Sequence, residues 1–137
     1  MSAAIENLIP HRPPMCWLAS LDECTATTAT ATACFAEDDF AVADGKVLET
    51  ALVECVAQTV AAALGQRAQS GGGNPGAAPN GMLVAASNFK IVARPSAGQV
   101  LRIEIRETKR LGPMLLVTGT ISCEGRAVAA GELSLYA

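Results

Sequence analysis

Glu54 and Gln58 stand four residues apart within residues 46–69, a stretch that is otherwise largely apolar and rich in alanine. On a helix that spacing stacks the two side chains on one side. Ala57, Ala61 and Ala62 flank them, and such small neighbours leave room for a ligand beside two polar groups. A carboxylate on so apolar a helix is costly to bury unless it is paired or used. Glu54 is therefore the first candidate for giving or taking a proton, and Gln58 the candidate for orienting it or for bonding a ligand carbonyl. The competing reading makes them interface groups, Glu54 bonding backbone amides across a dimer and Gln58 bonding a partner chain. His11 is the chain's single histidine, and imidazole is the side chain that titrates near neutrality and suits a general base. It lies in Ile9-Pro10-His11-Arg12-Pro13-Pro14, where the prolines hold the backbone extended. It serves as a base only if that stiff arm reaches Glu54; otherwise the arm is structural.

Other chemistry is weaker. Asp44 is a second candidate base near the start of the helix, although Asp-Gly is more often a turn. Cys55 is next to Glu54, but adjacent helix positions diverge by about 100° and face different surroundings, so it reads as core. One histidine on an N-terminal arm supports no Ser-His-Asp or Cys-His pairing. Five cysteines without close pairing suggest neither a disulfide framework nor a zinc site, and no metal is expected. The glycine-rich residues 70–81 read as a loop, not a phosphate cradle, because a helix precedes and a strand follows.

These groups need elements to place them. Leu48, Leu52, Cys55, Val56, Thr59, Val60, Ala63 and Leu64 recur at helical spacing, and no proline or glycine interrupts before Gly65, which predicts a helix over residues 46–69. Residues 25–35 alternate threonine with alanine, and strands are predicted over 82–92, 100–109, 114–123 and 127–136. Two strands, one helix and four strands make an α+β chain with a largely meandering antiparallel sheet. A flat sheet cannot bury a single apolar helix, so a curved antiparallel sheet wrapped around one long central helix is expected, the hotdog fold.

At 137 residues the chain is expected to be one hotdog domain, residues 1–137. Ten basic against thirteen acidic side chains, a net charge of −3, argue against nucleic acid as a partner. Glu49, Glu54 and Gln58 make the helix a poor membrane span, and the N-terminus lacks signal-peptide order, so a soluble, cytoplasmic protein is expected. Lys90, Arg94, Arg102, Arg106, Lys109 and Arg110 are expected on two adjoining strands, either to receive an acidic or phosphate group or as a solvated face with Glu104 and Glu107.

Four blocks resemble the beta-hydroxyacyl-acyl carrier protein dehydratase family. Leu8-Ile9-Pro10-His11-Arg12-Pro13-Pro14-Met15 resembles its N-terminal Leu-Pro-His-Arg segment, and Val53-Glu54-Cys55-Val56-Ala57-Gln58 its helix motif Glu-Ala-Met-Ala-Gln. Asn88-Phe89-Lys90 with Arg94-Pro95 and Ala97-Gly98 resembles its Phe-Lys-Arg-Pro-Val-x-Pro-Gly strand and turn. Residues 119–135 resemble its closing hairpin. In that family the helix Glu is the general acid on the leaving β-hydroxyl, and a His just ahead of the helix abstracts the α-proton. Glu54 matches the acid; the stretch corresponding to the His, residues 40–46, is shorter and contains none. The divergent aryl-polyene branch of dehydratase-like hotdog proteins is more similar, sharing the Asp-Gly and the Glu-x-x-Ala-Gln helix, and some of its members look like partners of a second hotdog subunit.

The resemblance implies Glu54 as the catalytic acid and uses the His11 segment as a structural arm; Gln58 and His11 join the catalytic candidates by their own chemistry, with Ala57, Ala61 and Phe89 expected against the substrate. The resemblance implies an acyl thioester carried on the phosphopantetheine of acyl carrier protein or on coenzyme A, with no other cofactor. It also implies a homodimer or higher oligomer, or a heterodimer with another hotdog protein, since the ligand tunnel of the fold forms between subunits. Three functions follow: a 3-hydroxyacyl-thioester dehydratase, an acyl-thioester hydrolase, or a non-catalytic subunit that binds carrier protein or completes another protomer's site.

Overall fold

The computed structural model describes residues 5–9, 16–70 and 82–136. His11 and the glycine-rich residues 71–81 lie outside the described residues. A short 3-10 turn, Ile5–Asn7, leads to the first hairpin, β1 (Leu18–Cys24) with β2 (Thr28–Ala33). The Thr-Ala alternation explains β2: Ala29, Ala31 and Ala33 face the core and are small enough to let a helix lie close, while β-branched threonines suit the other face.

A two-residue hairpin comes next, β3 (Val42–Ala43) with β4 (Lys46–Val47). Asp44 (φ 54°) and Gly45 (φ 75°) form its turn, the positive-φ pair that tight hairpins require. This corrects the predicted helix start. Residues 46–48 are not helical, because their backbone groups are engaged elsewhere: the Val47 N–H donates to the Pro95 carbonyl (2.9 Å) and the Leu48 N–H to the Ala41 carbonyl (2.8 Å). Arg94 closes the arrangement, donating from Nε to the Val47 carbonyl (2.9 Å) and from Nη2 to the carbonyls of Lys46 (3.1 Å) and Ala43 (3.4 Å).

The helix α1 therefore runs Glu49–Gln69, with Glu49 in its first turn where a negative charge complements the helix dipole. It continues through Gly65, since a Cβ there would run into the Leu8 carbonyl; glycine permits the N-terminal segment to cross the helix closely. No described helix is long and apolar enough to cross a membrane.

Four long strands follow: β5 (Met82–Ile91), β6 (Leu101–Leu111), β7 (Met114–Cys123) and β8 (Arg126–Tyr136). All pairings are antiparallel, and the six-stranded sheet has the order β1-β2-β6-β7-β8-β5. It packs one face on α1, giving the predicted hotdog fold. On β6 the alternation is as expected, Leu101, Ile103 and Ile105 buried against exposed Arg102, Glu104 and Arg106. The adjacency of the basic residues is not. Lys90 lies on β5 and Arg94 just beyond it, whereas β6 is separated from β5 by β7 and β8, so the six cations do not form one patch.

Two glycines set how closely helix and sheet approach. Gly119 and Gly131 pair directly across β7 and β8, so they share one face. A Cβ on Gly119 would strike the Val56 side chain, and one on Gly131 would strike the Phe89 ring. The fully buried Val56 thus sits in a notch in the sheet, with Phe89 beside it over the second glycine.

Candidate active site

The middle of α1 is buried almost all round, with Leu52, Cys55, Val56, Val60, Ala62 and Ala63 enclosed together with the polar Gln58 and Thr59. Thr59 satisfies its hydroxyl within the helix, donating to the Cys55 carbonyl (2.8 Å). Gln58 bonds beyond its own helix as well as within it. Its side chain, 0% exposed, leaves the helix and meets the backbone of Trp17, whose N–H donates to Gln58 Oε1 at 3.0 Å. The other end of the carboxamide, Nε2, donates to Glu54 Oε1 at 3.4 Å, so the predicted pair meets on one side of the helix.

Glu54 is half-buried at the rim of this enclosed region, with half-buried Ala57 next to it and Ala61 buried one turn further on. Cys55 faces the core. Burial, and then the Glu54 carboxylate, push its thiol well above the ordinary value, so it is held as a neutral thiol and is no nucleophile. Asp44 lies exposed in the β3–β4 turn. Phe89 is half-buried on the helix-facing side of β5, where a bulge between Ser87 and Lys90, with Asn88 at φ 55°, turns its ring onto Gly131.

Trp17 and Asp39 were not singled out in the sequence. The Trp17 indole packs against Phe35 (centroids 5.5 Å) and Phe40 (5.6 Å), and its Nε1 donates to the Asp39 carboxylate at 3.2 and 3.4 Å. Asp39 Oδ1 also accepts the Ala41 N–H (2.9 Å), tying this loop to the segment that leads into the helix. Phe40 remains 57% exposed although it packs on Trp17. The available signal was the chain's sole tryptophan at the end of the proline arm; Asp39 is one of three consecutive acidic residues, Glu37-Asp38-Asp39, and nothing local distinguishes it from the other two. Arg94, expected among the docking cations, is instead the clamp on the start of the helix.

A chain of the dehydratase heterocomplex ApeI:P from Xenorhabdus doucetiae superposes with a TM-score of 0.85 at 20% identity, covering 98% of this chain and 90% of that one. The E. coli PaaI protein from the phenylacetic acid degradation operon superposes with a TM-score of 0.69 at 10% identity, over 85% of this chain and 81% of that one. A hypothetical thioesterase with coenzyme A from Streptococcus pneumoniae reaches 0.67 at 12% identity, over 85% and 82%. At these identities the likeness establishes the fold. No curated protein sequence matches the chain. The family described as ApeP-like, ApeP dehydratase, matches residues 3–137, nearly the whole length and including the Glu54–Gln58 helix. The chain belongs to the ApeP-like dehydratase family.

Proposed function

We propose that this chain works on acyl thioesters as a 3-hydroxyacyl-thioester dehydratase, with Glu54 as the acid. A base removes the α-proton, the Cβ–O bond breaks, and the hydroxyl leaves as water with a proton from Glu54, leaving the enoyl thioester. The observation that carries this reading is the pairing of Glu54 at the rim of a buried helix with a fully buried Gln58 that donates to it. In its protonated form a carboxyl group so held, among small side chains, supplies the proton for the leaving hydroxyl. Ala57, Ala61 and Phe89 are the side chains we assign to the substrate.

The base comes from His11 on the N-terminal arm or from another subunit, since the described residues contain no histidine. A second subunit is favoured by β5, which pairs only with β8 and leaves its other edge uncovered among the described residues. The ApeI:P relative is named as a heterocomplex, which supports a hotdog partner for this chain as well. The thioester is carried on acyl carrier protein or coenzyme A, in the cytoplasm.

The test is a steady-state assay with 3-hydroxyacyl and saturated acyl thioesters, following enoyl formation and free thiol, beside Glu54→Gln and His11→Ala. The expected result is enoyl formation that falls about 10²- to 10⁴-fold in Glu54→Gln. A parallel loss in His11→Ala assigns the base. Thiol release without enoyl formation makes the protein a hydrolase, the activity in the name of the coenzyme A-bound relative. Silence from a folded dimer makes it a partner subunit.

A further inference from the structure

Glu54 is held by a chain of donors and acceptors that begins two elements away. We infer that Trp17 and Asp39 are positioning residues for Glu54, acting through the Gln58 carboxamide; the inference rests on the assignment of Glu54 to the site. A carboxamide has an accepting end and a donating end, and its neighbours decide which way it faces. A backbone N–H can only donate. With the Trp17 N–H 3.0 Å from Gln58, the oxygen must face it, and the NH₂ group is directed to Glu54 Oε1. The flipped amide would set N–H against N–H at one end and oxygen against a carboxylate at the other.

What fixes the amide is therefore the position of the residue 17 backbone, and its own side chain fixes that. Trp17 is 8% exposed, and its ring packs against both Phe35 and Phe40. Packing alone leaves rotation of the ring in its slot; the Nε1–H bond to Asp39 removes it. Asp39 is in turn held by the Ala41 N–H, on the segment whose Ala41 carbonyl accepts from Leu48 at the helix start. The Asp39–Trp17–Gln58–Glu54 path thus closes a loop from the helix start, through the aromatic cluster, back to the carboxylate on the same helix. A phenylalanine would fill much of the same volume with no polar group to satisfy. An indole and an aspartate at this place give the site its orientation as well as its packing.

Trp17→Phe removes the indole donor and keeps a ring; Asp39→Asn keeps the acceptor for Ala41. Two readouts are needed. By ¹H–¹⁵N NMR, the Gln58 carboxamide protons of the wild type are expected as two well-separated, slowly exchanging resonances, which in both variants exchange about tenfold faster or more. In the dehydratase assay kcat is expected to fall about ten- to a hundredfold, with KM within about twofold. Gln58→Glu sets a second carboxyl group against Glu54 in an enclosed place, and is expected to lose kcat and to lower the melting temperature as pH rises.

Gln58 resonances that do not respond to Trp17→Phe and Asp39→Asn overturn the inference. So does an active enzyme whose kcat is unchanged when those resonances move. The two readings separate cleanly. A wild type inactive on every thioester, with a Gln58 amide that responds, removes the proposed function and keeps the positioning path. An active wild type that needs Glu54 but is indifferent to Trp17 and Asp39 does the reverse.

Discussion

A buried carboxamide is tolerated when both of its ends are used, and Gln58 uses one on the backbone of β1's approach and one on Glu54. Gln58→Leu leaves the Trp17 N–H without its acceptor in an enclosed place. The expected loss is about 1–3 kcal/mol of unfolding free energy, measured by urea unfolding followed through Trp17, the only tryptophan. Cys55 permits a pH prediction. Its thiol is raised from the ordinary 9.0, first by burial and then by the Glu54 carboxylate. The folded state therefore keeps a proton that the unfolded chain gives up, so this contribution is intact below pH 9.0 and is lost as pH rises above it. Stability should fall above that pH with a slope approaching ~1.4 kcal/mol per unit, and Cys55→Ala should flatten the slope in urea unfolding between pH 8 and 10. Cys123, raised by burial and by Glu124, leaves a remainder of the same sign. At this scale the sequence was readable where a residue's chemistry is local: the four-residue spacing of Glu54 and Gln58 is a property of one helix. Trp17 and Asp39 were not readable, because their partners are 41 and 22 positions away.

The helix and the sheet constrain each other at Gly119. Val56 cannot retreat, being fully buried, so Gly119→Ala should cost about 1–3 kcal/mol through overpacking. Val56→Ala alone also destabilises by removing buried methyls, but in the double variant part of the Gly119→Ala penalty should vanish. A double-mutant cycle in urea unfolding checks this, and strictly additive effects would refute the notch. Strand β6 was legible because one of its faces is buried and the other solvated, which writes a period of two into the residues. The start of α1 was not. Lys46, Val47 and Leu48 adjoin the helical pattern without a break, and it takes the Asp44-Gly45 turn, the Pro95 and Ala41 carbonyls and the Arg94 clamp, 47 positions beyond Val47, to hold them outside the helix.

The sheet has two unlike edges. β1 carries Asp22 and Glu23 and has two irregularities in its pairing, features that discourage another strand from adding. β5 exposes Ala85, Ala86, Ser87 and Asn88 and, among the described residues, pairs on one side only. If a second hotdog subunit adds there, Ala86→Arg should shift the protein toward monomer in sedimentation equilibrium; an unchanged mass would place the interface elsewhere. Composition, period and motif spacing were enough to determine one long helix, the alternating strands, their antiparallel class and the Glu54–Gln58 pair, because each is a local pattern of burial on a single element. Tertiary structure alone decided where β5 goes, which cations share a face, where the helix begins and which distant backbone holds Gln58. Those outcomes depend on hydrogen bonds and contacts between segments far apart in the chain, and no local pattern of residue types encodes which of several compatible partners a group will meet.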